Sequence, residues 1–289
     1  MEKQDMEKRI KMPLHTTFVG NESPFLDVIR RHSDLNVTVC TRITGKARKF
    51  FGSAFDYARK HAIEILDPKE FMARHRPTDL IIVAGYPKLI PRRIIELPSI
   101  GIINIHMSLL PAYRGRHPLN WAIINGEKYA GVTIHHITEK FDEGNIICQD
   151  RISIKRYDTI ADVYAKAVRK GNSLLGKTFR MIGSRQFKGI KQDRRYASYF
   201  PPRTPKDGKI NWNEPADKIR NLVRALVDPY PGAFFYYRGK KKIVDEVDIL
   251  PHIQRCDTKI GKPFLLNGCY TIKTCDGFIK LVKLRNSTM

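Results

Sequence analysis

The chain has 289 residues, 42% of them hydrophobic and 10% aromatic, which is enough apolar matter for one large core or two modest ones. This excludes a disulfide-stapled mini-domain and wholesale disorder. Lys and Arg number 52 against 29 Asp and Glu, a formal net charge of +23, which points to nucleic acid, an anionic membrane or a phosphorylated small molecule as partner.

The charge is spread in proportion to length, +16 over residues 1–204 and +7 over 205–289, so no arm or tail concentrates it. No apolar run reaches the roughly 18 residues of a membrane span, and the start Met1-Glu2-Lys3-Gln4-Asp5 lacks the apolar stretch of a secretory signal. Cys40, Cys148, Cys256, Cys269 and Cys275 are odd in number, and no two are spaced C-x-x-C. That is the pattern of free thiols in a reducing cytoplasm, not of a disulfide framework or a zinc site.

Residues 1–14 read as a polar lead-in. His15 to Val19 is a short strand ending at Gly20-Asn21. A helix follows over Pro24 to Arg31, with Phe25, Leu26 and Ile29 on one face. Asn36 to Cys40 is a second strand, Phe55 to His61 a helix, Ile63 to Ile65 a short strand and Pro68 to His75 a helix. The continuous apolar run Asp79-Leu-Ile-Ile-Val-Ala84 suits a parallel strand buried on both faces. Ile100 to Ile105 is another such strand, Arg116 to Asn125 a helix and Gly131 to Ile137 a strand. Strands alternating with helices predict a Rossmann-like, doubly wound, mostly parallel α/β sheet. A long helix runs from Thr159 to Ser184, opened by the capping pair Thr159 and Asp162.

The pattern changes at Pro201-Pro202-Arg203-Thr204-Pro205, a stiff linker. Beyond it come one helix, Asp217 to Val227, and short strands at Ala233–Tyr237, Lys241–Val244, Cys269–Lys273 and Gly277–Lys283. The reading is a catalytic domain over 1–200 and a β-rich, OB-like domain over 201–289.

Chemistry concentrates in Gly101-Ile-Ile-Asn-Ile-His-Met-Ser-Leu-Leu-Pro-Ala-Tyr-Arg-Gly115. Asn104 and His106 are two apart and share one face of a strand, at the carboxyl end where open α/β sheets place their ligands. The turn Phe141-Asp-Glu-Gly-Asn145 after the next strand can return Asp142 to the same crevice. Asn104 can donate an amide hydrogen to an oxyanion. His106, protonated or neutral, can stabilise that charge or relay a proton. Asp142 can hold the histidine tautomer, raise its pKa and help take a proton from an attacking amine. The sequence contains no G-x-S-x-G, G-x-G-x-x-G or H-E-x-x-H. His135 and His136 are adjacent on a strand and point to opposite faces, so they cannot share a metal ion.

Asn104-Ile-His106 with Ser108-Leu-Leu-Pro111, Arg114-Gly115 and Asp142-Glu-Gly144 resembles the signature of the folate-dependent formyltransferases. That family includes glycinamide ribonucleotide, methionyl-tRNA and nucleotide-sugar branches. Arg203-Thr-Pro-Lys-Asp-Gly-Lys-Ile-Asn-Trp212, Asn221-Leu-Val-Arg-Ala225 and Pro229-Tyr-Pro-Gly-Ala-Phe234 resemble the linker and C-terminal domain of the last two branches. The resemblance implies N10-formyltetrahydrofolate as cosubstrate, no metal, and catalysis by Asn104, His106 and Asp142. It places the folate along Ala84, Gly85, Tyr86, Leu89, Ile90, Ile137 and Asp142. It leaves Lys88, Tyr113, Arg114, Arg116 and His117 as candidates for the second substrate.

The methionyl-tRNA branch carries a longer basic loop after the second strand. Here Thr41 to Ser53 is short, although Arg42, Lys46, Arg48 and Lys49 make it basic. Tyr113-Arg-Gly-Arg-His-Pro-Leu-Asn-Trp121 is similar to the segment of the enzyme that formylates UDP-4-amino-4-deoxyarabinose. The implied activity is therefore formyl transfer to a nucleotide-linked amino sugar, in a cytoplasmic homodimer without membrane contact. The alternative is a methionyl-tRNA formyltransferase with tRNA as partner.

Overall fold

The structure is a computed structural model that describes residues 13–42, 52–73, 77–184, 186–250 and 257–286. Residues 1–12 of the polar lead-in read over 1–14, the basic residues Lys46, Arg48 and Lys49, and Cys256 lie outside the described residues. The chain divides into two compact units, one of residues 1–114, 131–152 and 166–199, the other of 115–130, 153–165 and 200–289.

In the first unit, β1 (Leu14–Val19), α1 (Leu26–Arg30), β2 (Leu35–Cys40), α2 (Ala54–Lys60), β3 (Glu64–Leu66), α3 (Pro68–Ala73) and β4 (Leu80–Ala84) alternate as the apolar pattern predicts. After α4 (Arg92–Ile95) comes β5 (Gly101–His106). β6 (Tyr129–His136) and β7 (Ile146–Ser153) complete a sheet ordered β3-β2-β1-β4-β5-β6-β7. Pairing is parallel from β3 across to β5. β6 then runs antiparallel to β5. All five residues of β4 are buried, as expected for a strand covered on both faces.

One face of the sheet packs Val19, Cys40, Ile81, Val83 and Ile102 against Phe71 and Ile94 from α3 and α4. Each such side chain contributes roughly 1.5–3 kcal/mol on burial. Burial also pushes the Cys40 thiol up to about 12, with nearby Asp67 adding to it, so it packs as an inert hydrophobe.

α6 (Ile160–Gly183) follows β7, and α5 (Pro118–Ile124) precedes β6 in the chain. The cap of α6 is built as read from sequence: the Thr159 N–H and hydroxyl donate to Asp162 Oδ2 at 2.8 and 2.6 Å, and the Asp162 N–H donates back at 3.4 Å.

The second unit holds α7 (Ala216–Ala225) and an antiparallel sheet of β8 (Ala233–Tyr237), β9 (Lys240–Leu250), β10 (Pro263–Leu266), β11 (Cys269–Lys273) and β12 (Phe278–Asn286). Its order is β8-β9-β12-β11-β10. Ile219 and Val223 of α7 pack into Ala233, Phe235, Val244, Ile272 and Ile279 of the sheet. The fold class is thus a Rossmann-like, mostly parallel α/β sheet with a separate antiparallel β-rich sheet. No described helix is long and apolar enough to cross a membrane.

Candidate active site

The antiparallel register of β5 on β6 sets Asn104 directly opposite His135 and His106 opposite Thr133. The turn after β6 then brings Asp142 over the pair. Its Oδ1 lies 3.4 Å from Asn104 Nδ2, 3.5 Å from His106 Nδ1 and 3.6 Å from His135 Nε2. The expected trio therefore meets around one carboxylate oxygen, and a fourth group, His135, completes the ring.

Hydrogen bonding fixes the protonation pattern. His106 Nε2 is 2.9 Å from the Tyr113 carbonyl oxygen. A carbonyl only accepts, so Nε2 carries the hydrogen and Nδ1 faces Asp142. The tautomer is set by the Tyr113 carbonyl and not, as the sequence suggested, by Asp142. Tyr113 itself has a left-handed φ of 59°, and its N–H donates to Ser198 Oγ at 2.9 Å.

His106 is 7% exposed. Burial pushes its pKa below the ordinary histidine value, and nearby His135 adds to the drop. The Asp142 carboxylate and the Tyr113 carbonyl pull the other way and are outweighed. The expectation that Asp142 raises this pKa has the right sign for that pair and the wrong net result, because desolvation of a buried imidazolium is the larger effect. His106 is therefore neutral at neutral pH, with a free lone pair on Nδ1.

The amide of Asn104 is oriented from two sides. His135 Nδ1 donates to the His136 carbonyl at 2.8 Å, which leaves Nε2 to accept from Asn104 Nδ2 at 3.1 Å. The second Nδ2 hydrogen points to Asp142 Oδ1 along the longer 3.4 Å contact. A flipped amide would put its oxygen against that carboxylate. His136 turns to the other face, with Nε2 donating to the Phe187 carbonyl at 3.1 Å. The two histidines thus diverge as the strand pleat requires. Among the described residues no group of three or more His, Cys, Asp or Glu could hold a metal ion.

The turn that presents Asp142 is tightly specified. Asp142 has a φ of 56°. A Cβ added to Gly144 would strike the His136 carbonyl oxygen, so glycine is required there. Gln192 closes the turn from behind: its Nε2 donates to the Asp142 and Gly144 carbonyls, both at 2.7 Å. The sequence reading missed Gln192 and treated His135 only as a failed metal ligand. Gln192 sits in a stretch without periodicity, and His135 could have been found from its predicted strand register beside Asn104.

The remaining expected residues separate. Ala84 and Ile90 are buried, Gly85, Lys88 and Leu89 are exposed, and Tyr86 and Ile137 are half-buried against the sheet core. Gly85 has a φ of 66°, a conformation that costs little for glycine alone. The Ile137 N–H donates to the Ile102 carbonyl at 3.1 Å. Arg114, expected at a substrate, is instead buried, with Nη2 and Nε donating to Gln192 Oε1 at 2.7 and 3.2 Å and Nη1 lying 3.4 Å from Glu143 Oε1. Its charge is committed within the protein. Arg116 and His117 fall in the second unit. Arg116 is exposed, and His117 Nδ1 accepts the Arg203 N–H at 3.3 Å.

The donor set fits formyl transfer from a folate. An amide N–H, a neutral imidazole and a carboxylate converge, and each has a defined orientation.

Comparison with known proteins gives the same direction. The family described as formyl transferase matches residues 61–178, and the formyl transferase C-terminal domain matches 203–288. A bifunctional polymyxin resistance protein ArnA of Wigglesworthia glossinidia brevipalpis is 40% identical over 218 residues, covering 72% of this chain and 33% of that protein. The chain thus aligns with about a third of that relative's length. A methionyl-tRNA formyltransferase of Acetivibrio thermocellus is 34% identical over 226 residues, covering 74% of this chain and 72% of that protein. Among solved structures, an N-formyltransferase from Helicobacter canadensis in complex with folinic acid and dTDP-3-aminofucose superposes with a TM-score of 0.70. It covers 95% of this chain and 100% of that one at 21% identity, a likeness of fold.

Proposed function

The chain belongs to the formyl transferase family, and from that premise we propose that it moves a formyl group from N10-formyltetrahydrofolate to the amine of a nucleotide-linked amino sugar. The observation that carries the chemistry is the convergence of Asn104, His106 and Asp142 on one buried point. Support for the sugar comes from the short segment Thr41 to Ser53 and from Tyr113–Trp121. The division into a catalytic domain over 1–200 and a β-rich domain over 201–289 is part of this proposal.

When bound, the folate supplies a formyl carbon as electrophile and an aryl amine as leaving group. The protein's residues do the rest. Asn104 Nδ2 donates to negative charge developing on the carbonyl oxygen, exchanging its long contact with Asp142 for that stronger one. His106 accepts the proton of the attacking amine at Nδ1, the one position its hydrogen bonding leaves open. The imidazolium so formed lies against the Asp142 carboxylate at 3.5 Å, which stabilises it in a site that otherwise disfavours charge, and His106 gives the proton up to the departing nitrogen as the carbon–nitrogen bond breaks. No covalent enzyme intermediate is needed. In this reading Ala84 to Tyr86, Leu89, Ile90 and Ile137 line the folate. Lys88 and Tyr113 face the nucleotide sugar, and Arg114 is assigned to the turn.

The test is tetrahydrofolate release on incubation with N10-formyltetrahydrofolate and a panel of dTDP-, UDP- and GDP-linked amino sugars, with charged initiator methionyl-tRNA in parallel. Release with an amino sugar is expected. Release with the charged tRNA alone would replace this reading by the second one. The second reading is favoured by the methionyl-tRNA formyltransferase relative and by the +23 charge.

A further inference from the structure

Gln192 is buried, 6% exposed, and every polar atom of its amide is engaged at the turn that carries Asp142. Arg114 fixes which way the amide faces. A guanidinium only donates, so Oε1 must point to it and Nε2 to the turn. The two Nε2 hydrogens then fall on the Asp142 and Gly144 carbonyls, both at 2.7 Å. The bond to the Gly144 carbonyl is buried and the one to Asp142 part-buried, and removing the donor from a buried carbonyl costs free energy. Between them stands Glu143, whose Oε1 lies 3.4 Å from Arg114 Nη1 and whose Oε2 lies 3.6 Å from Arg194 Nη2. The same stretch of chain returns at Ser198, which receives the Tyr113 N–H and so fixes the carbonyl that sets the His106 tautomer.

We propose that Gln192 is a positioning residue for catalysis, holding the Asp142–Gly144 turn so that the Asp142 carboxylate stays between Asn104 and His106. The proposal rests on the reading of that trio as the catalytic site. A left-handed, non-glycine residue such as Asp142 persists where its surroundings over-determine it, and the Gln192 clamp is a buried contact that does so at the turn's backbone. Loss of the clamp lets the turn relax and the carboxylate move away from Nδ1.

The consequence can be read without folate or substrate. The groups facing the His106 ring are the Asp142 carboxylate, the His135 ring and the Tyr113 carbonyl. Of these, Asp142 is the nearby anion that holds the imidazolium. In 15N-labelled protein alone, the His106 titration is identified by its loss in His106→Gln. Its midpoint should fall in Gln192→Met, in the same direction as in Asp142→Asn. The double variant should fall no further than Asp142→Asn does by itself, because both changes remove one interaction.

Gln192→Glu supplies an independent arm. It keeps the acceptor for Arg114, which guards against unfolding, and removes both donors to the turn. Its kcat for tetrahydrofolate release with the amino sugar that the panel identifies should fall on the order of 10²-fold, with KM for that sugar within about twofold. A folded Gln192→Met with the wild-type midpoint, or a folded Gln192→Glu with the wild-type kcat, would overturn the inference. If the wild type releases no tetrahydrofolate with any acceptor, the functional reading fails, and the titration alone still decides what Gln192 does for Asp142.

Discussion

His106 is buried neutral, and this has a consequence for stability. Its folded pKa lies below that of the unfolded chain, as does that of His136, which burial also pushes down. Above about pH 6.5, the ordinary histidine value, neither group is protonated in either state, and both are neutral to the balance. As pH falls below that value the unfolded chain takes up protons that the folded chain refuses, so stability is lost progressively down to the folded pKa. Thermal melts should therefore fall below pH 6.5, and His106→Gln should flatten part of that slope; an unchanged slope would contradict the neutral assignment. Gly144→Ala should destabilise by about 1–3 kcal/mol, read in a urea titration, because its Cβ meets the rigid His136 carbonyl. The trio itself was readable from residue type and spacing: a period of two puts Asn104 and His106 on one face, and a turn returns Asp142. The protonation pattern was not readable, since it depends on the depth of burial and on a carbonyl seven residues away. Gln192 was not readable either, because its partners lie 48 and 50 residues distant.

Among the elements, the cap of α6 gives the most direct check on local structure. Thr159→Ala removes one half of the reciprocal cap and should cost about 1 kcal/mol, a fall of roughly 2–4 °C in Tm for a domain of this size; a larger loss would mean that Thr159 does more than cap. β4 was legible because its continuous apolar run, buried on both faces, leaves a one-line signal. β7 was missed: Ile-Ile-Cys-Gln-Asp-Arg-Ile-Ser has neither a clean alternation nor a continuous run. The four residues of α4 are too few to show a helical period. The helix read over Pro24 to Arg31 shortens to Leu26–Arg30, with Phe25 at its N-cap and buried. The antiparallel placement of β6 was also beyond the sequence, since strand direction depends on where the intervening chain travels. That placement is what puts His135 opposite Asn104.

For the whole molecule the unexplained quantity is the net charge of +23. If it served a polyanion, activity would fall steeply with ionic strength, because each phosphate neutralised releases counterions. A nucleotide sugar presents only a diphosphate, so its KM should change little between low and physiological salt. A steep salt dependence of KM with the sugar substrate would contradict the small-molecule reading. The composition and the alternation of strands and helices already fixed an α/β architecture with a β-rich C-terminal part, and the residues matching known families lie in the same two stretches.

If Asn104, His106 and Asp142 act together in formyl transfer, removing any one of them slows the chemical step. The most direct measurement is the single-turnover rate of tetrahydrofolate release, with the acceptor saturating, in the wild type and in Asn104→Ala, His106→Ala and Asp142→Ala. The rate should fall by about 10²–10³-fold or more in each, with folate binding retained. Three folded variants that release tetrahydrofolate at the wild-type rate would contradict it.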